Sequence, residues 1–351
     1  MTTTARAVAQ ASAPVPPRAA IETVEGMAMM PGSFELKHGG RLQRVKVGWR
    51  LTGPADAPVV AVLGGISAHR IVTGDDDDEC GWWPALVGPG RGVDTSRWRI
   101  LSFDWLGGSG GTTGPAPGSF ASEPFPSVSP DDQARLLAQL LDYLQLGQLH
   151  AFIGASYGGM VALAFGALHP SRLGRLLVLC AAERAHPLAI AWRSIQRRIV
   201  RMGLKGGAGH EALAIARGLA ITTYRSADEF SQRFGGPATR SGHEHRFPVE
   251  AYLEHHGEQF ASRIVPESYL CLSESIDLQD VDPGRVCMPT TLVAIRQDQL
   301  VPVSQMRSLA SRIGRHCRLY ELDSLYGHDG FLKEGQQLAP LLSRILEGTD
   351  R

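Results

Sequence analysis

The chain has 351 residues, of which 43% are hydrophobic and 20% charged. This mixture is typical of a globular protein and excludes a wholly disordered chain, which could not bury enough apolar surface to offset its ordering entropy. Thirty-five basic residues balance thirty-five acidic ones, so the composition gives no support to nucleic-acid binding, which needs a surplus of Lys and Arg. No apolar run approaches the roughly 20 residues of a membrane-spanning helix, and we expect no contact with a membrane.

The first 33 residues are rich in Ala, Thr and Pro and lack the apolar core of a secretory signal. We therefore predict a flexible N-terminal arm at 1–33 on a cytoplasmic protein. Five scattered cysteines without a CxxC pair argue against a disulfide framework and against a zinc site. The acidic run at 75–79 is interpreted as a solvated loop, and no metal site is predicted.

Strands alternate with helices in most of the remaining chain. The patterns predict strands at 43–51, 58–63, 99–103, 149–153 and 176–180, and helices at 131–146 and 158–168. The alternation stops at about 184 and returns near 285, with strands at 291–295 and 318–322 and a helix from about 304. Nearly continuous apolar strands indicate an α/β fold, a mostly parallel sheet covered by helices on both faces. We predict core segments at 34–183 and 285–351, with a helical lid inserted at 184–284.

The segment Gly154-Ala155-Ser156-Tyr157-Gly158 fits the pattern G-x-S-x-G. A predicted strand leads into it and a predicted helix leads out. Small residues around the serine allow a tight strand–turn–helix that presents the serine oxygen above the helix N-terminus. We predict Ser156 as a nucleophile; the alternative is a glycine turn with an incidental serine.

A serine hydroxyl needs a base to take its proton, and in this kind of fold the triad partners follow in the order Ser, Asp, His. Asp298 comes just after the strand at 291–295, and His328 just after the strand at 318–322. The carboxyl ends of parallel strands gather the active site in such sheets, so we predict Asp298 and His328 as the partners of Ser156. Four histidines of the lid compete for the role of base and are interpreted as structural: His243, His245, His255 and His256.

Acyl transfer also needs hydrogen-bond donors for the oxyanion. The backbone N–H of Tyr157, directly after the nucleophile, is the first candidate. The second should come from the loop that starts after an early strand, and we assign it to Leu63 and Gly64. Glycines in that loop are also ordinary turn residues.

Six blocks, in order, resemble the homoserine O-acyltransferases of the α/β-hydrolase superfamily: 81–83, 106–108, 154–160, 221–224, 249–253 and 326–329. The resemblance covers the chain from about residue 33 to the C-terminus. It implies an α/β-hydrolase fold and acyl transfer from an acyl-CoA to an amino-acid hydroxyl through an acylated Ser156. It also implies a homodimer and no cofactor, since the acyl-CoA is a substrate.

The same resemblance assigns residues to the amino-acid substrate. Arg217 and Tyr224 match a pair that lies in the site of family members, and Asp329 matches an aspartate that contacts the substrate's ammonium group. Homoserine is a zwitterion, so it needs a cation for its carboxylate and an anion for its ammonium, and guanidinium pairs well with carboxylate. The alternative for Arg217 is an ordinary surface arginine on a helix.

The choice of acyl group depends on the first lid helix. Acetyl-transferring relatives typically have an asparagine four residues before an arginine, and this chain has Arg193 and Arg197 at those positions. Arg193 would pair with the free carboxylate of a succinyl group, whereas an acetyl group would leave it buried and unpaired, which is costly. We therefore expect succinyl-CoA as donor and L-homoserine as acceptor, with acetyl-CoA and serine as alternatives. The alternative from another class of enzyme is a hydrolase, namely an esterase or thioesterase that uses the same triad with water as the acyl acceptor.

The chain also departs from the family pattern at two positions near the site. Asp104 replaces a usual asparagine, and Tyr157 stands where methionine is commoner. These departures put the shape of the pocket and the identity of the acceptor in question, but not the triad.

Overall fold

The computed structural model describes residues 20–74, 81–120 and 124–349. Within these ranges, eight strands form one sheet: β1 Glu22–Met29, β2 Lys46–Gly53, β3 Val59–Leu63, β4 Arg99–Phe103, β5 Ala151–Ala155, β6 Leu176–Leu179, β7 Thr290–Ile295 and β8 Cys317–Leu322. Their order in the sheet is β1-β2-β4-β3-β5-β6-β7-β8. The pairs β1–β2 and β2–β4 are antiparallel, and the other five neighbouring pairs are parallel.

Helices cover both faces of this sheet. Along β3, Ala61 and Leu63 pack in one apolar cluster with the first core helices, whereas Val60 and Val62 pack in a second cluster with the last helix. Successive side chains of a strand point to opposite faces, so a strand buried on both sides must be apolar throughout. The core helices are α1 Pro130–Tyr143, α2 Tyr157–Leu168, α8 Val303–Ile313, α9 Gly330–Lys333 and α10 Gly335–Glu347.

The lid is inserted between β6 and β7, which are neighbours in the sheet. It has an apolar cluster of its own that includes Val200, Leu213 and Phe260. Its helices are α3 Pro187–Lys205, α4 Gly209–Tyr224, α5 Ala227–Phe234, α6 Pro248–Ala261 and α7 Pro266–Asp277, and a small hairpin joins Thr239–Ser241 to Glu244–Arg246.

The two ends of the lid meet at a neck formed by 183–184 and 280–281. Arg184 and Asp280 form an isolated antiparallel bridge, and Arg184 Nε donates a hydrogen bond to Asp280 Oδ1 at 2.8 Å. The N–H of Val281 donates to the carbonyl of Glu183 at 3.1 Å. The chain therefore leaves the core and returns to it at one place.

The second half of the predicted N-terminal arm is part of the sheet. β1 pairs with β2 from Glu22 opposite Gly53 to Met29 opposite Lys46, so the prediction of a loose arm over 1–33 was wrong for this part. The strand was missed because it lies at the edge of the sheet and most of its side chains are exposed, so it shows no apolar run. Residues 1–19 and the acidic run at 75–79 lie outside the described residues.

Further short strands pair outside the main sheet, Ser33–Glu35 with Arg41–Gln43 and Val87–Gly88 with Val93–Asp94. None of the helices in the described ranges has the length and apolar character needed to cross a membrane. The four described cysteines are free thiols.

Candidate active site

Ser156 occupies a strained turn between β5 and α2. Its φ of 55° and ψ of −120° lie in a region that L-residues rarely adopt, and such a residue costs on the order of 1–3 kcal/mol. The flanking glycines make the turn possible. A Cβ on Gly154 would lie 2.2 Å from the carbonyl oxygen of Gly158, and one on Gly158 would lie 2.2 Å from that of Leu63. The G-x-S-x-G pattern is thus required by the close approach of the backbone.

The structure brings Ser156, His328 and Asp298 together. His328 Nε2 lies 2.8 Å from Ser156 Oγ, and His328 Nδ1 lies 2.7 Å from Asp298 Oδ2. The other oxygen, Asp298 Oδ1, accepts hydrogen bonds from the N–H groups of Leu300 at 2.8 Å and Val301 at 3.0 Å. Both partner side chains are buried, and they stand on the loops that follow β7 and β8. This is the geometry of a nucleophile, a base and the group that orients the base.

Two opposing effects act on the pKa of His328. Burial is the largest of them and lowers the pKa, because it disfavours the charged imidazolium. The charge and hydrogen bond of Asp298 and the charge of Asp329 act in the other direction and together prevail. The pKa of His328 is therefore raised above its ordinary value of 6.5. An imidazole with a raised pKa is a stronger base toward the serine proton.

Of the three residues predicted to carry oxyanion donors, only one lines the cavity. Tyr157 lines the cavity above Ser156, but Leu63 and Gly64 do not, whereas Gly65 and Ile66 do. Leu63 still belongs to β3, and the carbonyl of Gly64 accepts a hydrogen bond from Gly158 N–H at 2.7 Å. Gly65 is the first residue of this loop that lines the cavity, so Leu63 and Gly64 lie outside the cavity lining and their role as oxyanion donors stays a prediction.

The ring of Tyr157 is buried beneath this site. Its hydroxyl lies 2.6 Å from Ser275 Oγ and accepts a hydrogen bond from Gln133 Nε2 at 3.2 Å. Burial raises the pKa of Tyr157 well above its ordinary value, so this hydroxyl stays neutral. These two contacts hold the side chain of Tyr157, the residue whose backbone N–H is the first predicted oxyanion donor.

A cavity of about 190 Å³ lies above the nucleophile, between the core and the lid. Of the predicted substrate residues, it is lined by Arg217, Tyr224, Asp329 and Arg193, but not by Arg197. The core contributes the reacting groups and the lid contributes most of the polar walls. The site is therefore incomplete without the inserted segment.

One wall carries the residues predicted to bind an amino acid. Arg217 Nη1 donates to the hydroxyl of Tyr224 at 3.4 Å, and its guanidinium lies over the rings of Tyr224 and Phe260 at 5.1 Å and 4.7 Å. Asp329 Oδ2 lies 3.0 Å from Arg225 Nε. Arg225 was not predicted, and only its place next to Tyr224 could have pointed to it. A cation and a carboxylate thus line one cavity, as a zwitterionic ligand requires.

Two arginines of the first lid helix share one carboxylate, and one of them, Arg193, lines another wall of the cavity. Arg193 Nε donates to Asp277 Oδ1 at 2.6 Å, and Arg197 Nη1 lies 2.7 Å from Asp277 Oδ2. Arg197 Nη1 also donates to the carbonyl of Ser273 at 2.9 Å. Two positive charges against one negative charge leave this cluster with a net charge of +1. Arg193 Nη2 is buried and has no hydrogen-bond partner in the part of the chain that the structure describes.

The competing histidines lie elsewhere. His243, His245 and His255 are exposed, and none of the four lines the cavity. Within the described ranges, one group of side chains is close enough to hold a metal ion, namely Cys180, Asp298 and His328. Two of these three are already bonded to each other in the triad.

Comparisons with known proteins agree on fold and family. A family model described as the alpha/beta hydrolase fold matches residues 80–203. The homoserine O-succinyltransferase of Xanthomonas campestris pv. campestris is 40% identical over 318 residues, which cover 90% of this chain and 83% of that protein. The homoserine O-acetyltransferase of Clavibacter michiganensis subsp. michiganensis is 34% identical, with 90% and 91% covered. The serine O-succinyltransferase of Frateuria aurantia is 33% identical, with 90% and 97% covered.

Solved structures show the same fold. A homoserine O-acetyltransferase from Bacillus anthracis superposes with a TM-score of 0.81 at 17% identity, covering 94% of this chain and 98% of that one. An esterase superposes with a TM-score of 0.82 at 19% identity, covering 93% and 100%. The sheet and its lid are thus shared by transferases and hydrolases.

Proposed function

The chain belongs to the homoserine O-acyltransferase family of the α/β-hydrolase fold, and from that premise we propose that it transfers a succinyl group from succinyl-CoA to the hydroxyl of L-homoserine, a step of methionine biosynthesis. Membership rests on the 40% identity to a homoserine O-succinyltransferase over 90% of the chain. The observation that carries the choice of donor is the unpartnered, buried Nη2 of Arg193 in the wall of the cavity, among the residues that the structure describes.

In the first half of the proposed reaction, Ser156 becomes acylated. His328 Nε2 takes the proton of Ser156 Oγ as the oxygen attacks the thioester carbonyl, and the N–H groups of Tyr157 and Ile66 hold the oxyanion. The C–S bond then breaks, and His328 gives its proton to the departing CoA sulfur. The 2.8 Å and 2.7 Å contacts of His328 support this relay, with Asp298 stabilising the imidazolium.

In the second half, homoserine removes the acyl group. His328 takes the proton of the substrate hydroxyl, the new ester bond forms, and the proton returns to Ser156 as its oxygen leaves. Arg217 binds the carboxylate and Asp329 the ammonium of the acceptor. Both line the same cavity as Ser156, which supports an amino acid in preference to water.

The donor proposal follows from charge. The pair of Arg193 and Arg197 with Asp277 has a net charge of +1, which a succinyl carboxylate neutralises and an acetyl group does not. Hydrogen bonds to a charged group contribute about 1.5–3 kcal/mol, which corresponds to a preference of about 10- to 160-fold. We expect succinyl-CoA to exceed acetyl-CoA in kcat/KM by that factor.

The test is the release of free thiol from succinyl-CoA and acetyl-CoA, each with and without L-homoserine and L-serine. Release that depends on homoserine and is faster with succinyl-CoA is the expected result. Equal release without any amino acid would mean that water is the acceptor and that the protein is a thioesterase. A preference for serine or for acetyl-CoA would establish the corresponding alternative transferase.

Arg193→Asn separates the donor question from catalysis in general. We expect this variant to lose the succinyl preference while the turnover of acetyl-CoA persists. Arg201→Asn is the matched control, because Arg201 is an exposed arginine on the same helix. If Arg193→Asn leaves the succinyl-to-acetyl ratio unchanged, the donor assignment is wrong.

Three further expectations accompany this proposal. The reaction needs no cofactor besides the acyl-CoA substrate, the protein is cytoplasmic, and it forms a homodimer. Activity after treatment with a chelator tests the first, fractionation of cells tests the second, and sedimentation equilibrium tests the third. Each stays a prediction from the resemblance or the composition.

A further inference from the structure

The loop that carries Gly65 and Ile66 runs from the end of β3 to Arg70. The second oxyanion donor is a backbone N–H of this loop, so the direction of its peptides matters more than its side chains. In the described residues, the N–H of Ile66 donates to no backbone carbonyl, as expected of a donor reserved for a ligand. Something else must fix the orientation of this peptide.

Trp105 fixes the orientation of the peptide between Gly65 and Ile66 through its carbonyl end. The indole Nε1–H of Trp105 donates to the carbonyl of Gly65 at 3.0 Å, and the N–H of Ala68 donates to the same carbonyl at 2.9 Å. The C=O of Gly65 and the N–H of Ile66 belong to one planar trans peptide and point in opposite directions. A carbonyl held toward Trp105 therefore turns the Ile66 N–H away from it.

The same tryptophan contacts the first donor. Its ring packs edge-on against the ring of Tyr157 with centroids 4.8 Å apart, and Trp105 is only 3% exposed. One side chain thus touches the residue that carries the first proposed donor and the peptide that carries the second. A shift of Trp105 would change the distance between the two N–H groups.

Asp104, the neighbour of Trp105, holds the other end of the loop. Asp104 Oδ1 accepts the backbone N–H of Arg70 at 2.9 Å, and Oδ2 accepts Arg70 Nη1 at 2.7 Å and Gly111 N–H at 2.8 Å. The carboxyl is 2% exposed, and Gly48 and Gly110 leave the room for it, since a Cβ on either would lie within 2.8 Å of its atoms. A buried carboxylate with one guanidinium and two N–H donors is fully satisfied.

The geometry points to Asp104 and Trp105 as positioning residues for the oxyanion hole, acting as a two-point clamp on the loop 65–70. Trp105 sets the direction of the Ile66 N–H, and Asp104 fixes the end of the loop through Arg70. This inference rests on the proposed acylation of Ser156, because the clamp acts on the oxyanion formed in that step. The charge of Arg70, whose Nη1 donates to Asp104 Oδ2 at 2.7 Å, accounts for a carboxylate at this position.

Trp105→Phe is the direct test, since it keeps an aromatic ring but removes the N–H donor. Loss of a whole oxyanion donor costs on the order of 10²–10³ in rate, and a retained but misdirected donor costs less, so we expect acylation to slow about 5- to 50-fold. Acylation is followed as the rapid release of CoA thiol in the absence of an acceptor. We expect the concentration of succinyl-CoA that gives the half-maximal rate to stay unchanged. Trp49→Phe is the matched control, because Trp49 is also buried in the sheet and its indole N–H has no partner in the described residues.

A spectroscopic measurement separates positioning from general loss of stability. The carbonyl of the succinyl–Ser156 ester, labelled with ¹³C, should absorb at a higher infrared wavenumber in Trp105→Phe than in the wild-type chain or in Trp49→Phe, because weaker hydrogen bonds polarise it less. If Trp105→Phe fails to fold, replacement by benzothienylalanine keeps the size of the indole and removes only the N–H.

A second arm tests Asp104. Asp104→Asn places its amide NH₂ either against the backbone N–H of Arg70 or against Arg70 Nη1 and the N–H of Gly111, and we expect a severalfold slower acylation. If the wild-type chain forms the acyl adduct and Trp105→Phe shows the same acylation rate and the same carbonyl band as the wild-type chain, the clamp is overturned but the proposed function is not. No acyl adduct on the wild-type chain would overturn the proposed function, and the clamp with it.

Discussion

Replacing Asp298 by asparagine tests the roles within the triad, and the structure dictates how the new amide will sit. One oxygen of Asp298 faces His328 Nδ1 at 2.7 Å, and the other accepts two backbone N–H groups, from Leu300 and Val301. The two N–H groups need an acceptor, so in Asp298→Asn the amide oxygen will face them. The NH₂ group of the amide will then face the imidazole.

The consequence is a change of tautomer. An NH₂ group next to Nδ1 requires that nitrogen to be an acceptor, so the proton of the neutral ring must move to Nε2. Nε2 then has no free lone pair for the proton of Ser156 at 2.8 Å. The corresponding substitution in a serine protease lowers kcat by about 10⁴ for the same reason, and we expect a loss of about that size here.

The assay is thiol release in the presence of homoserine, with unfolding by urea as a check on the fold. Asp323→Asn serves as control, because Asp323 lies just after the same strand as His328 but its side chain is 64% exposed and bonded to Arg296. We expect the control to stay within about 2-fold, as surface substitutions usually change little. A loss of only a few-fold in Asp298→Asn would mean that another carboxylate orients His328.

Four other outcomes are expected. Ser156→Ala should show no mass increase after incubation with acyl-CoA, because the attacking oxygen is gone; a normal adduct on this variant would remove Ser156 from the role of nucleophile. Arg217→Gln should raise KM for homoserine about 10-fold or more, because a hydrogen bond to a charged group is lost. Thiol release without an acceptor should stay unchanged, and a slower release would contradict a role confined to the acceptor. The acid limb of the acylation rate should have its midpoint above pH 6.5, because the base must be neutral and the pKa of His328 is raised. Asp329→Asn should move that midpoint to lower pH, and an unmoved midpoint would show that Asp329 does not act on the pKa of His328.

The raised pKa of His328 also makes the free energy of unfolding depend on pH. Protonated His328 is favoured by the fold, so its contribution to the free energy of unfolding is fully present below the unfolded value near 6.5 and is lost as the pH rises through the folded pKa. His328→Gln should remove this dependence. Urea unfolding across that range of pH measures it.

Much of the site could be predicted because its parts have local signals. The glycines around Ser156 and the position of Asp298 and His328 after apolar strands are all visible within a few residues. The residues of the loop after β3 that line the cavity, Gly65 and Ile66, lie one or two positions beyond the predicted pair, because a strand has no sequence signal for its last residue. Asp277 was missed for a different reason, since it is 84 residues from the Arg193 that it binds and only the packing of α3 against α7 brings them together.

The neck at 183–184 and 280–281 has a consequence for how this fold diversifies. Because the chain leaves and rejoins the sheet between two adjacent strands, the intervening segment is closed on itself by the Arg184–Asp280 pairing at 2.8 Å. The entropy of closing such an excursion grows only slowly with its length, by about 0.6 kcal/mol per doubling. Insertions and deletions between these two points therefore cost the sheet little, and the segment that lines the upper part of the cavity can vary in length and sequence while Ser156, His328 and Asp298 beneath it keep their positions.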